Sequence, residues 1–222
     1  MSAATLKHRI AVSAAALLLA VFALLSLWHG GRIALSDADT LATRWTVTQW
    51  RGNRGPMPTT ELWLRARDDL RSALLITPDN AQLHDDLGYL NSSRAQAMGW
   101  PKYGSEEEAL RQNLLTEAIS HYRAATVLRP TFPYSWAYLA LTKQWKGELD
   151  AEFWVAFDKA LHYGRTEAGL QPTLAQMAFA HGKTLSPERQ RLVFSMITSS
   201  HGAVRKQLST MLEQTGVTVP GF

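Results

Sequence analysis

The chain of 222 residues contains no cysteine. That absence excludes disulfides, thiolate zinc sites, iron–sulfur clusters and cysteine nucleophiles. Charged residues are sparse at 19%, against 46% hydrophobic ones. Such a balance predicts a chain that mostly folds rather than one that stays disordered. There is no glycine-rich phosphate loop, and the glycines of a nucleophile elbow do not surround Ser135, Ser186 or Ser195. No convincing pair of strand patterns occurs either, which leaves an all-α reading.

Metal and acid–base constellations are equally scarce. His121, His162 and His181 have no histidine four residues further on. His84-Asp85-Asp86 is the one run with the right donor types. Adjacent positions on a helix do not face one direction, so it reads as solvated surface. Glu106-Glu107-Glu108 reads as a helix start, and Asp68-Asp69 as a solvated face. The expectation is a protein that is not an enzyme, with no catalytic residues, no metal ligands and no cofactor.

What is present begins with a long apolar run. Residues 10–28, IAVSAAALLLAVFALLSLW, carry no charge. As a helix, the run spans roughly 28 Å, close to a bilayer's hydrocarbon thickness. A signal-peptide core is shorter and is followed closely by a small-residue cleavage site. Here Trp28, His29, Gly30, Gly31 and Arg32 follow instead, and the first A-x-S pattern after the run, at 34–36, lies beyond the arginine. An uncleaved signal anchor is therefore preferred, with Trp28 at the membrane interface. Lys7, His8 and Arg9 precede the run, whereas Arg32 and Arg44 beyond it are diluted by Asp37 and Asp39. The positive-inside bias favours a cytoplasmic N-terminus and an exported domain. A cytoplasmic domain stays open as the alternative.

The net charge of +4 and the pI of about 9.5 invite a nucleic-acid reading. Residues 1–32, however, hold Lys7, Arg9 and Arg32 and no acid. Taking those three from 23 basic residues leaves 20 against 19 acidic ones. The excess marks membrane topology, and no nucleic-acid partner is expected.

Beyond residue 36 the periodicity predicts helices over 37–51, 60–77, 105–128, 134–145, 150–164, 172–181, 186–199 and 203–214, with a further one after Asn80 that carries Leu83, Leu87, Leu90 and Ala97 and stops at Gly99-Trp100-Pro101. In the first of these, Leu41 and Trp45, with Val47 or Trp50, are expected inward. Ser105 and Glu108 have capping-box spacing, Asp150 can cap its helix, and Pro187 suits a first helical position. The chain is thus read as a cytoplasmic N-terminus (1–9), a transmembrane anchor (10–28), a linker (29–36), a helical domain (37–216) and a frayed tail (217–222).

Two helix ends share one pattern. Ala66, Leu70, Ala73 and Pro78 have the same spacing as Ala118, Tyr122, Ala125 and Pro130. Leu87-Gly88 follows the first proline; Trp136, Leu139 and Ala140 follow the second. A weaker third copy, Phe153, Phe157 and Ala160, ends at Gly164. Small residues let neighbouring antiparallel helices approach, and proline ends one helix and turns into the next. The pattern looks like the tetratricopeptide (TPR) repeat, with about 18 residues beyond its period of about 34 inserted in the second unit. An irregular helical bundle is the alternative. The fold expected is a single transmembrane helix followed by an irregular TPR-like α-solenoid of antiparallel hairpins.

Residues 118–161, AISHYRAATVLRPTFPYSWAYLALTKQWKGELDAEFWVAFDKAL, carry a family resemblance. They resemble the membrane-anchored, TPR-like VpsP family of bacterial exopolysaccharide loci, chiefly in LRPTFPYSWAYLAL and GELDAEFWVAFDKAL. The resemblance implies a scaffold or adaptor at the bacterial inner membrane, its domain periplasmic, that binds proteins of a polysaccharide synthesis or export machine. It carries no catalytic residues to transfer. A saccharide-binding accessory protein, or a TPR assembly chaperone of another exported pathway, stays open.

In TPR arrays the first helix of each repeat lines the binding groove. Alignment to that pattern places Gln82, Asp85 and Tyr89 in one part and Tyr134, Ala137, Leu141 and Trp145 in the next. Asp85, Ala137 and Leu141 do not suit a carboxylate clamp. Tyr134 and Trp145 can grip an apolar peptide or stack on a sugar, or Trp145 can simply cover a helix end. Trp136 and Trp154 read as packing residues. Trp100, in Gly99-Trp100-Pro101, either docks its loop or meets a partner.

Overall fold

A computed structural model describes residues 3–52, 58–182 and 184–222. The chain is all-helical, with no strand among the described residues. It divides into two compact units, Met1–Pro78 and Asp79–Phe222.

The first unit pairs helix α1 (Ala3–Arg51) with α2 (Thr60–Ile76). α1 is unbroken through 29–36, so those residues are helix and not a linker. Gly30 and Gly31 cost roughly 0.5–1 kcal/mol each in a helix interior, too little to stop a helix anchored on both sides. The stretch from Val12 is long and apolar enough to cross a membrane, and its most apolar part is uncovered. Leu17, Leu18, Leu19, Phe22 and Trp28 are all exposed.

The C-terminal half of α1 instead packs against α2. Arg32 Nε donates to the Ile76 carbonyl at 3.0 Å, and Thr43 donates to Asp69 at 2.8 Å. Ascending numbers on one helix meet descending ones on the other, so the pair is antiparallel. Arg32 thereby caps the carbonyl end of α2, where positive charge is favoured. Trp63, Ala66, Leu70 and Ala73, at helical spacing, form the buried face of α2. The inward face of α1 is Ser36, Thr40 and Val47 rather than Leu41 and Trp45, which are 70% and 67% exposed. The reason is polar pairing: Ser36 and Thr77 share a buried hydroxyl contact of 2.9 Å. That contact needs small residues at the seam and turns the two large ones outward.

The second unit contains α3 (Ala81–Ala97), α4 (Glu106–Leu128), α5 (Pro133–Lys146), α6 (Ala151–Gly164), α7 (Gln171–Ala180), α8 (Pro187–Thr198) and α9 (Gly202–Thr215). Side-chain caps start four of them. Asn80 accepts from the Gln82 amide at 3.0 Å, Ser105 from Glu108 at 3.1 Å, Asp150 from Phe153 at 3.0 Å and Ser186 from Arg189 at 3.3 Å. Glu108 reaches the Gly104 amide rather than that of Ser105. Helices pack as successive pairs, α3 with α4, α5 with α6 and α7 with α8. Their first helices also touch in series, α3 to α5 to α7 to α9. This is the TPR-like arrangement.

The repeat residues set the helix spacing. A Cβ on Gly88 would stand 2.7 Å from the Tyr122 ring, so α3 and α4 meet at that glycine. Gly164 plays the same part beneath Pro133 and Leu170, at 2.7 and 2.8 Å. Ala118, Tyr122, Ala140, Phe153, Phe157 and Ala160 lie in one core that runs on to Leu208 and Leu212. The C-terminal residues are not frayed. Val219 is buried in that core, and the Phe222 ring lies under the Arg205 guanidinium at 4.3 Å.

Candidate binding face

The residues expected to line a groove divide into a buried set and a surface set. Ala137 and Leu141 belong to the core. α5 touches α3, α4, α6 and α7, so only a narrow strip of it stays open. Asp85 is also buried. Its carboxylate accepts the Ser135 hydroxyl at 2.8 and 2.9 Å and pairs with the Arg129 guanidinium. Arg129 in turn lies over the Phe132 ring at 4.2 Å. Asp85 is therefore an internal latch between α3, the end of α4 and α5, and not a group facing a ligand.

The surface set is aromatic. Tyr134 and Trp145 are half-buried on α5, packed against the core. Tyr138, one helical turn from Tyr134, lies between them, with ring centroids 6.4 Å from Tyr134 and 5.7 Å from Tyr122. The i, i+4 spacing from Tyr134 marks Tyr138 in the sequence, but it was not among the expected residues. Burial, with the Glu167 charge second, raises the Tyr134 phenol above its ordinary range. On α3, Tyr89 is half-buried, and Gln82 is tied to Asp86 at 3.0 Å.

Trp100 is 82% exposed and stacks on the Arg111 guanidinium at 4.4 Å. Arg111 is buried and donates to the Trp145 carbonyl at 3.1 Å. One arginine thus joins Trp100 to the C-terminal end of α5, bringing together two candidates 45 positions apart. Tyr103, three residues on, is almost fully exposed. No local signal in the sequence picks out Arg111, since its role depends on the fold of α4 over α5.

Other conspicuous residues have structural partners. Trp136 donates to the Pro130 carbonyl at 2.8 Å. Trp154 carries the Arg189 guanidinium at 4.5 Å, and Arg189 is clamped by Asp158 at 2.7 and 2.8 Å. Lys143 is buried on α5 and donates to Glu148, Asp150 and Glu152 at 3.2, 2.9 and 2.8 Å. Arg123 grips Glu152 with two further bonds, at 2.7 and 2.8 Å. The Arg123 bond, then Lys143, hold the Glu152 carboxyl at about 2, against the opposing effect of burial. These charges pair with one another. A cavity of about 360 Å³ between α6 and α8 is lined by Asp158, His162, Arg165, Ser186, Glu188 and Arg189. None of the expected site residues lines it.

No family model matches the chain, and no curated protein does. Among solved structures, the chain is similar to a monomeric mutant of IFIT1 with Gppp-AAAA, with a TM-score of 0.61 and 17% identity. The match covers 79% of this chain and 38% of the IFIT1 chain, so this chain spans well under half of that protein's length. The likeness is one of fold: IFIT1 is a TPR protein.

Proposed function

We propose that the protein is a non-catalytic scaffold or adaptor in bacterial exopolysaccharide biosynthesis or export. In this reading it is anchored in the inner membrane by α1, with a cytoplasmic N-terminus and a periplasmic TPR-like domain. The observation that carries the anchoring is α1 itself, whose uncovered apolar half continues without a break into the α1/α2 hairpin. The polysaccharide context is supported by the resemblance of residues 118–161. A protein ligand is supported by the surface strip Tyr134–Tyr138–Trp145, which offers large rigid aromatics with little entropy to lose. The oligonucleotide in the IFIT1 structure is not carried over. Basic and acidic residues beyond 32 nearly balance, and several of the cations are already paired.

Mild crosslinking in cells followed by purification tests the reading. Recovery of a membrane component of a polysaccharide machine, reduced by Tyr138→Ala or Trp145→Ala, is the expected result. Recovery of no such partner counts against it. A reporter fused at the C-terminus reads the topology directly.

Trp100 and Tyr103 favour a second reading. Their exposed rings, three residues apart, could stack on sugar rings. Calorimetry with the cognate polymer decides it: heat lost in Trp100→Ala supports a saccharide site, and silence with the intact protein removes it.

A further inference from the structure

His84 and His121 stand 37 positions apart and carry no sequence motif linking them. In the fold they face each other across the α3/α4 hairpin, with 3.1 Å between their Nδ1 atoms. The ring centroids are 5.4 Å apart and the planes are tilted by 46°, so the rings approach through their nitrogen edges and do not stack. Both residues are half-buried, so the pair keeps access to water.

That separation is the bite of two imidazoles on one metal ion. Metal–nitrogen bonds of about 2.0–2.1 Å, at angles between square and tetrahedral, need nitrogens about 2.8–3.4 Å apart. The geometry is also held from beneath. Gly88 lies one turn beyond His84, and Tyr122 is the neighbour of His121 in sequence. Their close contact fixes the distance between the helices at this level. A ligand pair placed by helices loses little freedom on binding.

We propose that His84 and His121 form a two-imidazole site for a divalent transition cation, of the Cu²⁺, Ni²⁺ or Zn²⁺ class, clasping α3 to α4. Among the described residues no cluster of three or more histidine or carboxylate donors exists. Water, or a donor from a bound partner, fills the remaining positions. The ring that donates its Nδ1 proton in the free pair carries that proton on Nε2 once the cation is bound, so both Nδ1 lone pairs are available to the ion. Imidazole-rich, thiolate-free donors suit Cu²⁺ best of the three by the usual affinity order. Because the ion bridges two helices of the native hairpin and has no such pair in the unfolded chain, binding stabilises the fold.

The test uses the full chain in detergent, purified with a tag that lacks histidine. CuCl₂, NiCl₂ and ZnCl₂ are titrated separately, with Tm and, for Cu²⁺, the electron paramagnetic resonance spectrum as readouts. One ion per chain is expected, with nitrogen hyperfine coupling from two rings. A rise in Tm of roughly 5–10 °C is expected at a hundredfold excess over Kd, reversed by EDTA. His84→Ala and His121→Ala must each abolish it, while His162→Ala, on the exposed face of α6, leaves it intact. If an alanine variant does not fold by circular dichroism, His84→Gln and His121→Gln take its place. An equal effect in the double variant, or no binding by the folded wild-type chain, overturns the proposal.

Discussion

The Ser135 hydroxyl bonds the Asp85 carboxylate across 50 positions of sequence, at 2.8 and 2.9 Å, and both residues are buried. With Arg129 on the same carboxylate, the first helix of one hairpin is latched to the first helix of the next. Asp85→Ala removes the acceptor and leaves a buried hydroxyl and a half-buried guanidinium. Stability should fall by about 2 kcal/mol, since bonds to charged groups are the stronger kind. Urea denaturation measures this. A groove residue would alter binding and leave the midpoint in place.

Gly88→Ala tests the closest helix approach. The added methyl would meet the Tyr122 ring at 2.7 Å, within a ring that is almost fully buried. Overpacking should cost about 1–3 kcal/mol, which outweighs the gain in helix propensity of about 1 kcal/mol. Gly30→Ala is the control. Nothing lies within 4 Å of that position, so the helix should gain rather than lose. Thermal melting followed at 222 nm separates the two.

The ion cluster around Glu152 predicts a pH response. Its carboxyl is held at about 2 by Arg123 and Lys143, below the ordinary glutamate value. A lowered folded-state pKa gives stability that is fully present above the unfolded value of about 4.3 and is lost as pH falls towards the folded one. Tm should therefore decline between about pH 5 and pH 2. Glu152→Gln should lower Tm at neutral pH and flatten this decline. An unchanged acid limb in the variant would show that other carboxylates carry it.

The absence of cysteine makes α1 simple to map. Single substitutions Leu41→Cys and Trp45→Cys should react readily with a polar maleimide, because both positions are exposed. Val47→Cys and Ala66→Cys should be protected at the α1/α2 seam. Residues 17–25 should label only with a lipid-soluble reagent, if the apolar half of α1 lies in the bilayer. Equal labelling at 45 and 47 would contradict the packing.

The sequence by itself determined the helices, for reasons that are local. Apolar spacing, the caps Asn80, Ser105, Asp150 and Ser186, and the prolines in the first turn of α5, α7 and α8 act within a few residues. The uncharged run at 10–28 and the Ala–Leu/Tyr–Ala–Pro repeat are local in the same way. Only the tertiary structure decided which face each helix buries. Asp85 looked like groove surface until Ser135 and Arg129 closed on it. Leu41 and Trp45 looked like core until the small hydroxyls at Ser36 and Thr77 claimed the seam. The same holds for Arg111 beneath Trp100 and for the two histidine rings, one on α3 and one on α4. Each of these contacts joins side chains from different helices. Helical periodicity sets which residues share a face, but the competition among neighbouring helices sets what that face meets.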